Sequence, residues 1–239
     1  MARIVMVSGW AMSADILNPL AHELKSLGYD TVQVSLAEAA GESWEDLYRL
    51  VDSQLDNHPA VLVGWSLGGN LCTRFAAKFP EKVKALITLG STPCFLASDN
   101  WPFGKHPDAS REFADAVAAD ARAAMKEFAP VCARGSLDMK KAIRAFRASV
   151  KWALGTTTDW RELLNRLEED ARPQWQQVAC PTHHILSDSD PLAKPELAGD
   201  FNILLPQHKV SVLQGCHGIF LDHPKVVAEC IHSTAMEAE

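Results

Sequence analysis

Short apolar runs alternate with segments of helical periodicity along the first part of the chain. The apolar runs are typical of buried strands, and the segments between them place apolar residues at the three- and four-residue spacing of amphipathic helices. Four such runs lie before Gly90, at residues 3–7, 31–35, 60–63 and 83–89. This alternation predicts βαβ units and a parallel sheet.

The third run leads directly into a serine flanked by glycines. Residues 60–63 are followed by Gly64-Trp65-Ser66-Leu67-Gly68, and a helical pattern begins at once. A strand that turns sharply into a helix with serine at the corner is a nucleophile elbow, in which glycines permit close backbone approach and the hydroxyl is exposed. The alternative is a glycine-rich turn that happens to contain a serine. The order of strand, serine and helix favours the elbow.

A helical segment interrupts the alternation after Gly90. Residues 94–175 show no convincing strand, and the alternation then resumes with strands predicted at 182–186 and 209–213. Because both ends of the segment return to one sheet, we predict a cap over the active site rather than an independent domain. The expected fold is an α/β sheet of about six mostly parallel strands. Its core comprises residues 1–93 and 176–239, and residues 94–175 form the cap.

Candidate partners for Ser66 follow the last two predicted strands. A serine nucleophile needs a base, and the base needs an orienting acid. In sheets of this type the three occur in the order serine, acid, histidine. His217, at a loop tip between small residues, is the candidate for a mobile base. Asp190 is preferred as the acid, while Asp188 lies nearer the strand end and remains the alternative.

Two backbone amides are candidates for an oxyanion hole. The Leu67 N–H lies at the start of the helix behind the serine, where backbone donors are free. The second donor is expected from the loop after the first strand, with Trp10 the candidate. Ser13 is predicted to cap the helix that follows this loop.

Composition narrows the choice of partners. The formal charge of −7 argues against nucleic acid or an anionic membrane as the main partner. Six cysteines without a paired spacing favour reduced thiols, and the start of the chain has too short an apolar run for a signal peptide or membrane span, so a cytoplasmic protein is expected. We predict no metal site, since no carboxylates can be placed beside His183 and His184. His208 is expected at the surface or in a turn.

A resemblance to a known family rests on several short motifs. They are Gly9-Trp10, Gly64-Trp65-Ser66-Leu67-Gly68-Gly69, Ser91-Thr92-Pro93-Cys94-Phe95 and Asn100-Trp101-Pro102. Together they resemble the α/β-hydrolase carboxylesterases of biotin synthesis, the family of pimeloyl-(acyl-carrier protein) methyl ester esterases. The resemblance covers nearly the whole chain. Two departures are Ser8 and Ala11 in the first loop and the expected lack of an N-terminal hairpin.

This resemblance implies a triad of Ser66, Asp190 and His217, oxyanion donors at Trp10 and Leu67, and a substrate pocket that includes Trp65. It implies no metal or organic cofactor. Further aromatic residues are candidates for lining an acyl pocket, although aromatics in a cap are as often simple core. They are Phe95, Trp101, Phe103, Phe128 and Trp152.

An acidic carrier protein as partner would require a basic docking face. Four cations recur at helical spacing on one face of the cap: Lys140, Arg144, Arg147 and Lys151. The alternative is a solvated basic face on an amphipathic helix.

The predicted reaction is hydrolysis of the methyl ester of pimeloyl-(acyl-carrier protein) to the free acid and methanol, by a monomeric serine esterase. The alternatives are a broad-specificity short-chain carboxylesterase or thioesterase without a carrier partner, and a non-catalytic receptor built on a hydrolase fold.

Overall fold

The computed structural model describes residues 2–238, and within them six strands form a single sheet. Their order is β2-β1-β3-β4-β5-β6, and every neighbouring pair is parallel. The strands are β1 Arg3–Val7, β2 Asp30–Val34, β3 Ala60–Trp65, β4 Val83–Leu89, β5 Thr182–Ser187 and β6 Lys209–Leu213. The predicted α/β sheet is thereby confirmed.

Eleven α-helices connect or flank these strands in the described residues. Six accompany the sheet: α1 Asn18–Ser26, α2 Trp44–Asp52, α3 Leu67–Lys78, α9 Leu197–Leu204, α10 Ile219–Asp222 and α11 Pro224–Met236. Five lie between β4 and β5: α4 Pro107–Ala119, α5 Ala121–Ala133, α6 Met139–Ala153, α7 Trp160–Asn165 and α8 Arg172–Gln176. Short 3-10 turns occur at Ala14–Leu17, Leu36–Glu38, Pro80–Lys82 and Arg166–Glu168.

The central strands are apolar because both faces of the sheet are covered. Every residue of β3 is buried, and six of the seven residues of β4 are buried. Helix α3 packs on β3 and β4, and helix α11 packs on β4 and β5. A parallel sheet buried in this way requires continuous apolar runs instead of alternating ones.

The strand order reverses beside β1, and this positions the site. The chain runs outward from β1 to β2 and then returns to β3 on the other side of β1. The loops that leave β1 and β3 therefore diverge and open a crevice at the carboxyl ends of these strands, where open α/β sheets bind ligands.

The helices between β4 and β5 share the main hydrophobic core. Val117, Met125 and Phe146 are buried in the same cluster as β1 and β3. Ser13 does not cap a helix with its side chain as predicted. Its N–H and hydroxyl instead bond to the Ser149 hydroxyl of α6, at 2.7 and 3.0 Å. The division into hydrolase core and cap stays a prediction.

No helix among residues 2–238 has the length and apolar character needed to cross a membrane.

Candidate active site

Ser66 occupies the sharp turn between β3 and α3. Its φ of 55° and ψ of −121° lie outside the usual regions for a residue with a side chain. The neighbouring glycines are required by contact with backbone: a Cβ at Gly64 would lie 2.3 Å from the Gly68 carbonyl oxygen, and a Cβ at Gly68 would lie 2.5 Å from the carbonyl oxygens of Val7 and Ser8. The turn thus presses the start of α3 against the end of β1.

The structure pairs His217 with Asp190. The His217 Nδ1 lies 2.7 Å from Asp190 Oδ2, and both side chains are buried. The other carboxylate oxygen, Oδ1, accepts the N–H groups of Leu192 and Ala193 at 2.8 and 3.1 Å. With Oδ1 engaged, the carboxylate is held so that Oδ2 faces the imidazole. The hydrogen bond at Nδ1 leaves Nε2 as the nitrogen free to act as a base.

Asp188 lies outside this arrangement. It is exposed, and its Oδ1 accepts the N–H of Gly215 at 3.0 Å and the hydroxyl of Ser189 at 2.9 Å. Asp188 therefore braces the loop after β6, while Asp190 alone of the two contacts the histidine.

His217 is buried in the loop between β6 and α10, and not exposed at a loop tip as its small neighbours suggested. Only 1% of its surface is exposed, and its N–H donates to the Cys132 carbonyl of α5 at 3.2 Å. Its own carbonyl accepts the indole N–H of Trp65 at 2.9 Å, and the two rings lie 5.4 Å apart. The backbone of His217 is thus hydrogen-bonded to both β3 and α5, and these two elements cover the loop.

The loop after β1 lies directly against the serine. A Cβ at Gly9 would stand 3.1 Å from the Ser66 Cβ, so Trp10 follows at the edge of the site. The Trp10 indole N–H donates to the Trp160 carbonyl at 2.6 Å. Leu67 begins α3, so its N–H has no acceptor within the helix. Both residues proposed for an oxyanion hole therefore adjoin Ser66.

A narrow cavity reaches this group of residues. The empty space measures about 730 Å³, including the part that is open to solvent. Only about 80 Å³ of it is wide enough for the centre of a water molecule. The wall is mostly apolar, and α4 and α7 contribute to it. Its lining residues are Gly9, Trp10, Trp65, Ser66, Phe95, Leu96, Lys105, Ser110, Phe113, Phe128, Leu164, Leu167, Glu168, Pro191, Leu192 and His217.

The aromatic candidates divide between this cavity and other places. Trp65, Phe95 and Phe128 line it. Trp101 does not: it is buried in a separate core cluster with Phe103, and its indole N–H donates to the Cys94 carbonyl at 2.8 Å. The pocket role predicted for Trp101 is therefore wrong. Its indole ring instead stabilises the loop after β4 through this hydrogen bond.

Trp152 also lies elsewhere, 40% exposed on the outside of α6. Sequence reasoning missed Phe113 and Leu164, which line the cavity from α4 and α7. Both belong to amphipathic helical patterns, and the pattern alone does not distinguish a wall of a cavity from a filled core.

The four cations of the cap lie on the solvent side of α6. Lys140, Arg144, Arg147 and Lys151 are all exposed. The opposite face is buried, and its Phe146 ring lies 5.9 Å from the ring of Trp65. Helix α6 contributes no residue to the cavity wall, so its basic face and the cavity are separate surfaces.

Cys216 precedes the histidine but faces the core. It is fully buried, and burial raises the pKa of its thiol to about 12. A thiol in this state is a poor nucleophile. Within residues 2–238 no group of three or more His, Cys, Asp or Glu side chains is arranged to hold a metal ion.

Comparison with known proteins agrees with this architecture. A family model described as the alpha/beta hydrolase fold matches residues 3–224. The chain belongs to the alpha/beta hydrolase fold family.

Two curated relatives of this α/β hydrolase match nearly the whole chain. The biotin biosynthesis bifunctional protein BioHC of Cellvibrio japonicus is 28% identical over 239 residues, covering 95% of this chain but 46% of that protein. The chain thus spans about half the length of this bifunctional relative. The pimeloyl-(acyl-carrier protein) methyl ester esterase of Nitrosomonas europaea is 27% identical over 236 residues, covering 95% of this chain and 93% of that protein.

Among solved structures, an esterase from Exiguobacterium antarcticum superposes with a TM-score of 0.82. The match covers 99% of this chain and 92% of that one at 18% identity. At this level of identity the similarity concerns the fold alone.

Proposed function

We propose that this chain is a serine carboxylesterase whose substrate is the methyl ester of pimeloyl-(acyl-carrier protein), in biotin biosynthesis. One observation carries the proposal. A serine with a strained backbone and a histidine bonded to a buried carboxylate face the same narrow apolar cavity. The names of the relatives from Cellvibrio japonicus and Nitrosomonas europaea support the choice of substrate.

In the first step, His217 Nε2 removes the proton from the Ser66 hydroxyl as the oxygen attacks the ester carbonyl. Asp190 holds the imidazole and stabilises its charged form. The N–H groups of Trp10 and Leu67 stabilise the oxyanion. Collapse of the tetrahedral intermediate returns the proton from His217 to the leaving methoxide, so that methanol departs and an acyl-enzyme remains.

In the second step, water replaces the alcohol. His217 removes a proton from water, and the hydroxide attacks the acyl-enzyme carbonyl. The proton then passes to the Ser66 oxygen as the carbon–oxygen bond breaks. The products are the free carboxylic acid and the original enzyme.

The shape of the cavity supports a linear acyl substrate. Its walls are made by apolar side chains such as Phe95, Phe128 and Leu164, which favour methylene groups over polar ones. Most of the cavity is too narrow for the centre of a water molecule, so an unbranched chain fits better than a branched or cyclic group.

The basic face of α6 supports an acidic partner. Lys140, Arg144, Arg147 and Lys151 project from one helix of a chain whose net charge is −7, so they concentrate the positive potential that an acidic carrier protein needs for docking. Their separation from the cavity wall favours a second candidate, a short-chain carboxylesterase or thioesterase that uses no carrier protein.

One kinetic experiment tests the proposal, with the carrier-bound methyl ester and the free monomethyl ester as paired substrates. Ser66→Ala should lower kcat for both by roughly 10⁶-fold, because the nucleophile is removed. The double variant Lys140→Glu with Arg144→Glu should raise KM for the carrier-bound ester by about tenfold relative to the free ester. The matched control is Lys25→Glu with Lys225→Glu, which makes the same change in net charge on the exposed surface of α1 and α11.

Retention of full activity by Ser66→Ala would refute the serine mechanism. If the two double variants change the ratio of the two KM values equally, the face of α6 has no docking role. The second candidate function would then stand.

A further inference from the structure

One cation stands in the otherwise apolar wall of the active-site cavity. Among the described residues that line it, Lys105 is the one lysine or arginine, and Ser110 and Glu168 are further polar residues of the wall. The remaining lining residues are apolar apart from the serine and histidine of the proposed triad. Lys105 has no part in the ester chemistry described above.

The backbone of Lys105 is pinned to the loop after β4. Its N–H donates to the Phe95 carbonyl at 2.7 Å, and its carbonyl accepts the Ala97 N–H at 2.9 Å. The preceding residue allows this close pairing, because a Cβ at Gly104 would lie 2.2 Å from the Leu96 carbonyl carbon. The base of the side chain is therefore fixed beside a residue of the cavity wall.

The ammonium group is held over that wall. Lys105 Nζ lies 4.9 Å from the ring centroid of Phe113, which itself lines the cavity. A cation over an aromatic face is attracted by the ring quadrupole, so this contact orients the charge. Lys105 is an exposed residue, and this contact keeps its charge at the cavity wall.

Lys105 has no carboxylate within salt-bridge distance in the described part of the chain. Burial lowers the pKa of its ammonium group, and the more distant Glu112 opposes that change. A partly desolvated cation without a counter-ion is stabilised by any anion that arrives beside it. Glu168 differs, since its carboxylate already accepts the Ser110 hydroxyl at 3.3 Å.

We propose that Lys105 is a specificity-determining residue, which pairs with an oxyanionic group carried by the acyl chain at the end away from the ester. This inference rests on the proposed esterase function and names the class of ester that the site selects. Two sources supply such a group: the carboxylate of a dicarboxylic acid monoester, or the phosphate of a carrier prosthetic arm. The carboxylate of Glu168, which also lines the cavity, would repel the same group.

The experiment compares charged and neutral methyl esters of equal chain length. Monomethyl esters of linear dicarboxylic acids provide the charged series, and methyl alkanoates the neutral one. The measured quantity is the ratio of kcat/KM for the charged to the neutral ester. Lys105→Met, which keeps an unbranched apolar side chain over Phe113, should lower this ratio roughly fivefold, the effect of an ion pair at a partly exposed site. Glu168→Gln should raise it.

Two further variants separate charge from packing. Lys105→Arg keeps the cation and should restore most of the ratio. Lys84→Met removes an exposed lysine of β4 and should leave the ratio at the wild-type value. The decrease of the ratio in Lys105→Met should also be largest for the acyl chain whose length matches the distance between Ser66 and the Lys105 ammonium group.

A second pair of substrates identifies the source of the anion. The methyl ester of pimeloyl-phosphopantetheine is compared with that of pimeloyl-pantetheine, which lacks the phosphate. A Lys105-dependent preference for the first assigns the group to the phosphate, and a dependence confined to the dicarboxylic series assigns it to a carboxylate. If Lys105→Met changes no charged-to-neutral ratio in either pair, the inference is refuted.

The test of Lys105 can fail or succeed independently of the test of the proposed substrate. Failure to hydrolyse the carrier-bound ester would refute the proposed substrate, while a charge-selective effect of Lys105→Met on small esters would still stand. Loss of the neutral esters together with the charged ones, at an unchanged ratio, would show that Lys105 only packs the wall.

Discussion

At the scale of single residues, Ser66 has a backbone conformation that costs about 1–3 kcal/mol and persists only where its surroundings hold it. Its N–H donates to the Leu89 carbonyl at 2.9 Å, and its carbonyl accepts the Ser91 hydroxyl at 2.8 Å. Both partners come from the end of β4 and the loop behind it. The neighbouring strand β4 and the loop after it therefore hold the strained turn, and Ser66 itself is 7% exposed.

The two aspartates after β5 give a prediction at this scale. Asp190→Asn should lower kcat by about 10³–10⁴-fold, because an amide cannot hold the same histidine tautomer or stabilise its charged form. Asp188→Asn keeps an acceptor for the Gly215 N–H and should change kcat less than about tenfold. Steady-state kinetics with a p-nitrophenyl ester measures both. Equal losses in the two variants would contradict the pairing of Asp190 with His217.

At the scale of elements, the contact between α3 and β1 sets the distance between the serine and the Trp10 loop. Gly68 is the second residue of α3, and its missing side chain leaves room for the carbonyl oxygens of Val7 and Ser8. Backbone atoms cannot move aside as a flexible side chain does. The glycines of the elbow thus serve helix–strand packing as much as the turn itself.

Gly68→Ala tests this packing. The added Cβ would meet two backbone oxygens at 2.5 Å, so we expect α3 to shift from β1 with a loss of about 1–3 kcal/mol in the free energy of unfolding. Esterase activity should fall as well, since the Trp10 loop moves with β1. Urea denaturation followed by fluorescence measures the stability.

Gly199→Ala in α9 is the matched control for that substitution. Nothing lies within 4 Å of a Cβ built at this position, and alanine favours the helix by about 1 kcal/mol over glycine. This variant should be at least as stable as the wild type. If Gly68→Ala proved equally stable, the close approach of α3 to β1 would not be a constraint on the fold.

At the scale of the whole molecule, three histidines on and next to the strands β5 and β6 are buried: His183, His184 and His208. His184 is fully buried on β5, where its ring stacks on Trp175 and bonds to the Thr88 hydroxyl at 2.7 Å. Its other nitrogen lies 3.0 Å from His208 Nδ1. His208 lies in the bend directly before β6, in agreement with a predicted surface or turn location, but it is buried. Its ring lies against the buried His184, a contact across 24 residues of sequence that a local pattern does not reveal.

Acid should therefore destabilise the whole fold. Burial lowers the pKa of His184 well below its usual value and lowers those of His183 and His208. As the pH falls below about 6.5, the unfolded chain binds protons that the folded chain does not, so the free energy of unfolding decreases. Above that pH the buried histidines are neutral in both states, and the full stability is present.

Urea denaturation at pH 7.5 and pH 5.5 measures this dependence. His208→Gln removes one titrating ring and should make the free energy of unfolding less dependent on pH, whatever its effect at pH 7.5. The control His22→Gln alters an exposed position on α1 and should keep the wild-type slope. A wild-type protein equally stable at both values would contradict the burial of neutral histidines.

Features of this protein that depend on residues adjacent in the chain can be predicted from the amino-acid order alone. The apolar runs specified a parallel sheet, since strands covered on both faces must be apolar throughout. The spacing of Gly64, Ser66 and Gly68 specified the elbow, because only a sharp turn between strand and helix requires that combination. These features follow from local geometry and the hydrophobic effect, and the structure contains each of them.

Contacts between distant side chains depend instead on how the helices and strands pack together. Asp190 and Asp188 follow the same strand, and only the hydrogen bonds to Leu192 and Ala193 turn the former toward His217. Trp101 and Phe113 are both aromatic residues of the predicted cap, yet one fills a core and the other lines the cavity. The local pattern records that a side chain is apolar. Its direction depends on which helix packs beside it, and that is a property of the assembled chain.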